Sequence, residues 1–223
     1  MGNKIRKLIN KINLLDIIGT FLFIFGIFSM IFSVFRGEPI WVFWLCYVGM
    51  IIIGIGIFMR SKVLIISQLN ILTIPLLIWD IDFIYQLITG NNLWGVAGYF
   101  FNELIIFARI ISLEHLFLLP LTFTALYLIN KKQINKKTNN KLKNKINLDS
   151  PWIISILQTT ILYFLVKFLN DGTGNVNCVR ESCWDFLPTF SNYFTIEYFI
   201  VIFSIILFTN FVIIKLFNKF TTK

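Results

Sequence analysis

The stretch LLDIIGTFLFIFGIFSMIFSVF, residues 14–35, is apolar almost throughout. An α-helix rises ~1.5 Å per residue and the hydrocarbon layer of a bilayer is ~30 Å thick, so this stretch is long enough to cross it. Five more stretches follow, at Ile40–Phe58, Val63–Leu87, Leu104–Ile129, Trp152–Leu169 and Tyr198–Phe217. Each is about 18–26 residues long and meets the same length requirement. The whole chain of 223 residues is 57% hydrophobic with a mean hydropathy of +0.78, a composition that excludes an ordinary soluble globule. The expected fold class is all-α, a polytopic transmembrane helical bundle of six spans.

Orientation follows from the positive charge on the connectors, because cytoplasmic loops collect Lys and Arg. Lys4, Arg6, Lys7 and Lys11 precede the first span, and Arg60 and Lys62 separate the second from the third. Lys131, Lys132, Lys136, Lys137, Lys141, Lys143 and Lys145 lie between the fourth and fifth, and Lys215, Lys219 and Lys223 close the chain. In a six-span arrangement all sixteen fall on one face, out of 20 Lys and Arg in total. The other face has Arg36 and Arg180, while Arg109 and Lys167 lie in or beside spans. Both termini are therefore expected in the cytoplasm, the chain being a multi-pass protein of the cell membrane.

The net charge of +9 has its explanation in the same pattern. These lysines sit where anionic lipid headgroups attract them. The segment 130–150 is Asn-rich and its lysines are not interleaved with aromatic residues that would stack bases, so nucleic acid is not an expected partner; membrane lipid is. The sequence does not identify protein partners. The first stretch is too long for a signal-peptide core and is expected to be retained. Met1-Gly2 lacks the Ser or Thr at position 6 that myristoylation prefers, Arg6 standing there. No convincing internal repeat is present, and residues 1–223 are expected to form one integral membrane domain with a basic cytoplasmic loop at 130–150 and an external loop at 170–197.

That external loop contains Asn177-Cys178-Val-Arg-Glu-Ser-Cys183-Trp184. On the oxidising side of a membrane a disulfide persists, so a Cys178–Cys183 bridge is favoured over free thiols. Two cysteines without a nearby His or further Cys do not complete a closed zinc shell, so no metal is expected there. No cofactor-binding motif is read in the chain.

Function is sought among polar groups that hydrocarbon penalises. The third stretch carries Ser67, Gln68, Asn70, Thr73, Pro75, Asp80 and Asp82; the fourth carries Arg109, Ser112, Glu114, His115 and Pro120. Cys46 lies 14 residues before Arg60, or ~21 Å along a helix, and His115 lies 16 before Lys131, or ~24 Å. The cysteine and the single histidine thus share a level. A Cys–His pair is an activated nucleophile when the imidazole takes the thiol proton, and Glu114 or Asp80 is a candidate to orient the ring. The competing reading is a cysteine that fills space and a histidine bonded to a backbone carbonyl. Arg109 calls for a partner, with Asp80, Asp82 and Glu103 as candidates for an ion pair and substrate contact as the alternative. Asn70, Asp80, Asp82 and Arg109 are the candidate substrate-binding residues.

Leu45-Cys46, Arg60-Ser-Lys62-Val-Leu, Ser112-Leu-Glu-His115 and Ala125-Leu-Tyr127-Leu together resemble motifs of YwaF-like integral membrane proteins, over roughly residues 40–130. That resemblance implies a six-span bundle with Cys46 as nucleophile and His115 as base, since a eukaryotic branch of the family includes a proposed phospholipid acyltransferase. The chain departs from the family pattern at Val42-Phe43-Trp44, before the cysteine, and at Trp79-Asp-Ile-Asp82. Pro120, five residues after His115, also weakly resembles the androgen-induced intramembrane hydrolases, although no equivalent of their threonine is evident. Three functions stand as expectations: an intramembrane lipid acyltransferase or hydrolase, a small-solute carrier with a polar cavity between spans two to four, and a non-catalytic membrane scaffold. The carrier lacks the repeat and paired broken helices frequent in transporters.

Overall fold

The computed structural model describes residues 13–103, 105–137, 149–169, 175–180 and 194–221. Among them the chain is helical, with no strand. Its α-helices are α1 (Leu14–Phe35), α2 (Leu45–Phe58), α3 (Lys62–Thr89), α4 (Gly98–Asn102), α5 (Ile106–Ser112), α6 (Glu114–Lys137), α7 (Asp149–Leu169) and α8 (Phe194–Thr221). Short 3-10 turns occupy Pro39–Phe43 and Val176–Cys178.

Among the described residues, five segments are long and apolar enough to cross a membrane: Leu14–Phe35, Lys62–Thr89, Ile106–Lys131, Pro151–Leu169 and Thr195–Asn218. The second expected span is the one that differs. Pro39 opens a 3-10 turn, and Trp44 takes an extended conformation (φ −54°, ψ 129°) that breaks the helix. What remains, α2, has 14 residues and is ~21 Å long, short of the hydrocarbon thickness.

The outward faces identify the solvent. On α1, Ile17, Phe21, Ile24, Phe28, Ile31 and Phe35 are exposed at helical spacing, whereas Ser29 and Ser33 are buried. A helix with an apolar exposed face and small or polar groups inside belongs in lipid, because water would drive the opposite arrangement. Both serines return their hydroxyls to carbonyls one turn earlier, Ser29 to Phe25 and Ser33 to Ser29, each at 2.9 Å. The protein is an integral membrane protein with multiple apolar helices.

Without a hydrophobic force between helices in lipid, association relies on close backbone approach and on interhelical hydrogen bonds. Both devices are present. A Cβ on Gly54 of α2 would lie 2.9 Å from the Gly19 carbonyl oxygen of α1, and one on Gly26 would lie 3.0 Å from the Tyr47 carbonyl oxygen. The pairing of Gly19 with Ile57 and of Gly26 with Met50 runs in opposite directions along the two chains, so α1 and α2 are antiparallel. In the N-terminal third of α3, Gln68 and Gln158 of α7 exchange hydrogen bonds of 2.7 and 3.0 Å. Asn70 donates to Ser155 of α7 and to Asn210 of α8. Ser155 in turn donates to the Ser67 carbonyl at 2.8 Å. Asn70, expected to contact substrate, is fully buried in this lock.

Charged groups close the two ends of the bundle. Arg60 pairs with Asp16, and Lys62 donates to Asn130, joining the α2–α3 turn to the start of α1 and to α6. At the opposite end Arg36 pairs with Glu103 at 2.6 Å. Ser61 caps α3 through its hydroxyl, and Gly90 ends it in the left-handed region (φ 73°) that favours glycine. Cys183 lies outside the described residues, as do 138–148, 170–174 and 181–193, so the bridge expected with Cys178 and much of both loops fall there.

Because the Gly54 contact is with backbone, which cannot rotate aside, Gly54→Leu should destabilise the α1–α2 pair by about 1–3 kcal/mol. Ile55→Leu, at a position 38% exposed, serves as the control and should change little. Thermal denaturation in detergent checks the pair; equal melting points for both variants would refute the close-packed interface.

Candidate functional site

The helix break at Trp44 places Cys46 in the first turn of α2, a position that a continuous second span would not give it. The break is held from outside by one side chain. Asn177 accepts from the Leu45 amide through Oδ1 at 2.9 Å and donates through Nδ2 to the Phe43 carbonyl at 2.7 Å. Both orphaned backbone groups at the kink are thereby satisfied, as burial in an apolar region requires. Asn177 reaches them from a left-handed conformation (φ 55°), which asparagine tolerates better than most residues. The backbone amides of Cys46 and Tyr47 face the Cys46 sulfur. These amides are among the donors that the first turn of a helix leaves without intrahelical partners.

A second irregularity lies opposite. The helix running from Ile106 is interrupted at Leu113, where α5 ends and α6 begins with Glu114 and His115. The cause is local. His115 Nδ1 lies 2.8 Å from the Ser112 carbonyl, which a continuous helix would offer to the Leu116 amide; that amide bonds the Leu113 carbonyl instead. An imidazole inserted in the ladder is a recognised source of such a break. Donation to a carbonyl puts the ring proton on Nδ1 and leaves the Nε2 lone pair available.

These two irregularities meet. Ligand-type atoms of Cys46, Glu114 and His115 all lie within 4.8 Å of one another. Glu114 is fully buried, and neither of its carboxylate oxygens has a hydrogen-bond partner among the described residues. The expected convergence of Cys46 and His115 is therefore present in the geometry. The expected orienting of the ring by an acid is not: the Ser112 carbonyl holds Nδ1, and Glu114 is placed beside the thiol.

Aromatic residues support and cover the cluster. The His115 ring stacks on Trp79 with centroids 4.4 Å apart, and Trp79 stacks on Phe83 at 5.0 Å. Phe100 and Phe101 pack edge-on and face-on against Phe83, with Ala97, Leu113 and Leu116 in the same apolar group. Asp82 anchors this cover. Its carboxylate accepts from the amides of Leu93, Trp94 and Ala97 at 2.9, 2.8 and 2.7 Å, so the connector after α3 is folded back over the aromatic column.

The other expected substrate contacts have separate places. Asp80 is not part of the three-residue cluster, and its Oδ1 is buried without a partner among the described residues. Arg109 donates to the backbone carbonyls of Glu103 at 2.7 Å and Phe101 at 3.2 Å. The ion pair anticipated for it on Glu103 is made instead by Arg36, because the connector turns the Glu103 carbonyl toward α5 and its carboxylate toward α1. Trp79, Asn177 and the Ser112 carbonyl escaped sequence reading. Asn177 carried a weak signal in its position beside Cys178, but nothing local indicates that it caps a helix 132 residues away.

Chemically, the cluster offers a sulfur nucleophile at a helix N-terminus, an imidazole with a free basic nitrogen and a carboxylate, within a largely apolar surround. No protein-family model, curated protein sequence or solved structure matches the chain.

Removal of the cap should loosen this arrangement. Asn177→Ala is expected to destabilise the protein by about 0.5–2 kcal/mol and to accelerate alkylation of Cys46, which is 8% exposed in the intact structure. Thermal unfolding and maleimide kinetics measure the two effects, and wild-type values for both would remove Asn177 from the support of the site.

Proposed function

We propose that this chain is an intramembrane acyltransferase or hydrolase of membrane lipid, with Cys46 as nucleophile and His115 as general base. The observation that carries the reading is the approach of Cys46, His115 and Glu114 to within 4.8 Å at two breaks in otherwise apolar helices. Helix breaks and a buried carboxylate in a lipid-facing bundle are costly, and such features concentrate at functional sites.

The chemistry needs no residue beyond the pair and the helix terminus. His115 Nε2 takes the Cys46 proton as the sulfur adds to an ester carbonyl of the lipid. Backbone amides at the start of α2 face the sulfur and are suited to stabilising the adjacent oxyanion. Collapse of the adduct breaks the ester C–O bond, the departing alkoxide takes the proton from His115, and a thioester remains on Cys46. A water molecule or a second lipid alcohol then gives its proton to His115 and attacks the thioester, restoring the thiol. The carbonyl bond to Nδ1 holds the tautomer required at each step.

A non-catalytic scaffold is the second reading, favoured by the buried lock among Asn70, Ser155, Asn210, Gln68 and Gln158. Labelling separates the two. In vesicles containing an alkyne-tagged phospholipid, wild-type protein should acquire a hydroxylamine-sensitive acyl group at Cys46. Cys46→Ala should abolish the label, and His115→Ala should reduce its rate by about 10²-fold or more. Absence of label on folded wild-type protein would decide for the scaffold.

The same proposal places the chain in the cell membrane as six helices, with α2 the short one and both termini in the cytoplasm. Arg60, Lys62 and the lysine-rich segment then lie on the cytoplasmic face, and the Cys46 cluster in the outer half. Lys136→Cys should react with an impermeant thiol reagent only from the cytoplasmic side, and Thr173→Cys only from outside. Reaction of both from one side would overturn this topology.

A further inference from the structure

Glu114 has no part in acyl transfer by Cys46 and His115, and its surroundings make that notable. A fully buried carboxylate normally has amide donors or a basic side chain beside it, as Asp82 has its three amides. Glu114 has no such donor among the described residues. The nearest arginines along the chain are engaged elsewhere, Arg109 with carbonyls and Arg36 with Glu103. A carboxylate beside a sulfur also opposes formation of the thiolate, since two negative charges are brought together without a counter-charge.

We propose that Cys46 Sγ, a Glu114 carboxylate oxygen and His115 Nε2 form a three-ligand site for a divalent cation of the zinc class. One sulfur, one imidazole nitrogen and one carboxylate oxygen match the donors that zinc takes, whereas magnesium and calcium require oxygen shells. Zinc-to-ligand distances of about 2.0–2.3 Å set tetrahedral ligands about 3.3–3.8 Å apart. Atoms already within 4.8 Å of one another reach that spacing by small side-chain rotations. The remaining requirements of a metal site are also met. The Ser112 carbonyl holds Nδ1, as the outer partner of a ligating histidine does, so Nε2 is the nitrogen whose lone pair would bind the metal. Three protein ligands leave one position open for a water or lipid oxygen.

The site uses the side chains of the proposed acyl centre but does not rest on acyl chemistry. At one sulfur the two uses exclude each other, so the ion acts as an inhibitor of thioester formation. Purified protein in detergent should bind close to one zinc per chain by elemental analysis after dialysis. Titration with Co²⁺ should give a thiolate charge-transfer band and the intense visible bands of tetrahedral coordination. Zinc should slow alkylation of Cys46 in the wild-type protein, a readout that requires no variant. Glu114→Gln should weaken zinc binding by at least about tenfold and reduce the protection of Cys46 by zinc to the same degree. Cys46→Ser should remove the charge-transfer band. A wild-type protein without zinc, cobalt bands or protection of Cys46 overturns the metal site whatever the labelling result. Zinc binding together with no acyl label on the metal-free protein overturns the acyl reading and leaves the metal site standing.

Discussion

A backbone amide and a carbonyl left unpaired at Trp44 are the constraint around which this end of the bundle is organised. In lipid, water is not there to satisfy them, so the kink exists only because Asn177 supplies both an acceptor and a donor. The consequence reaches further than the kink. By ending the helix at Leu45, the structure shortens α2 and turns Cys46 from a mid-helix filler into a first-turn residue. The side chain of Asn177 comes from a segment far along the sequence, so the position of the thiol depends on the connector between α7 and α8 being in place.

The opposite wall of the cluster uses a different device for the same end. His115 breaks its own helix by bonding the Ser112 carbonyl, which fixes the ring against Trp79 and points its other nitrogen away from the ladder. Asp82 then draws the connector after α3 over the aromatic column with three amide bonds. These features are coupled through packing: the loop held by Asp82 brings Ala97, Phe100 and Phe101 against Trp79 and Phe83, and Trp79 supports the imidazole. Two carboxylates in this region thus have opposite situations. Asp82 accepts from three amides and serves structure; Glu114 is buried without a hydrogen-bond partner among the described residues and stands beside the thiol.

Much of the architecture was legible because hydrocarbon imposes simple rules on length and composition. The runs beginning at Leu14, Val63, Trp152 and Tyr198 correspond to helices that start and end within a few residues of the expected bounds. The level shared by Cys46 and His115 was legible too, since depth follows from helix rise and the positions of Arg60 and Lys131. The two breaks were not. Around Trp44 the composition is as apolar as in the rest of the run, around Leu113 the polar residues Arg109, Ser112, Glu114 and His115 do not by themselves mark a break, and the groups that stabilise the breaks are a distant asparagine and a backbone carbonyl. Arg109 was misassigned for a related reason. Charge complementarity pointed to an acidic partner, but the guanidinium found the carbonyls of Phe101 and Glu103, which sequence does not label as acceptors.

The polar residues of the apolar helices divide into two populations, and the division bears on function. Gln68, Asn70, Ser155, Gln158 and Asn210 bond chiefly to one another across α3, α7 and α8, so their presence follows from helix association in lipid. Cys46, Glu114 and His115 converge to within 4.8 Å across α2 and α6 and, among the described residues, leave both carboxylate oxygens without a hydrogen-bond partner, where the lock leaves one oxygen, Asn70 Oδ1. Asn70 offsets its unpaired oxygen with two hydrogen bonds across helices, whereas Glu114 has two unpaired oxygens among the described residues, so joining helices does not account for it in the same way. The Glu114 carboxylate is the feature of this cluster that the proposed ion would complete. Both a reacting lipid and a coordinated ion would enter at the same three atoms, and Glu114 distinguishes them: it is a ligand for the ion and a bystander to the thioester.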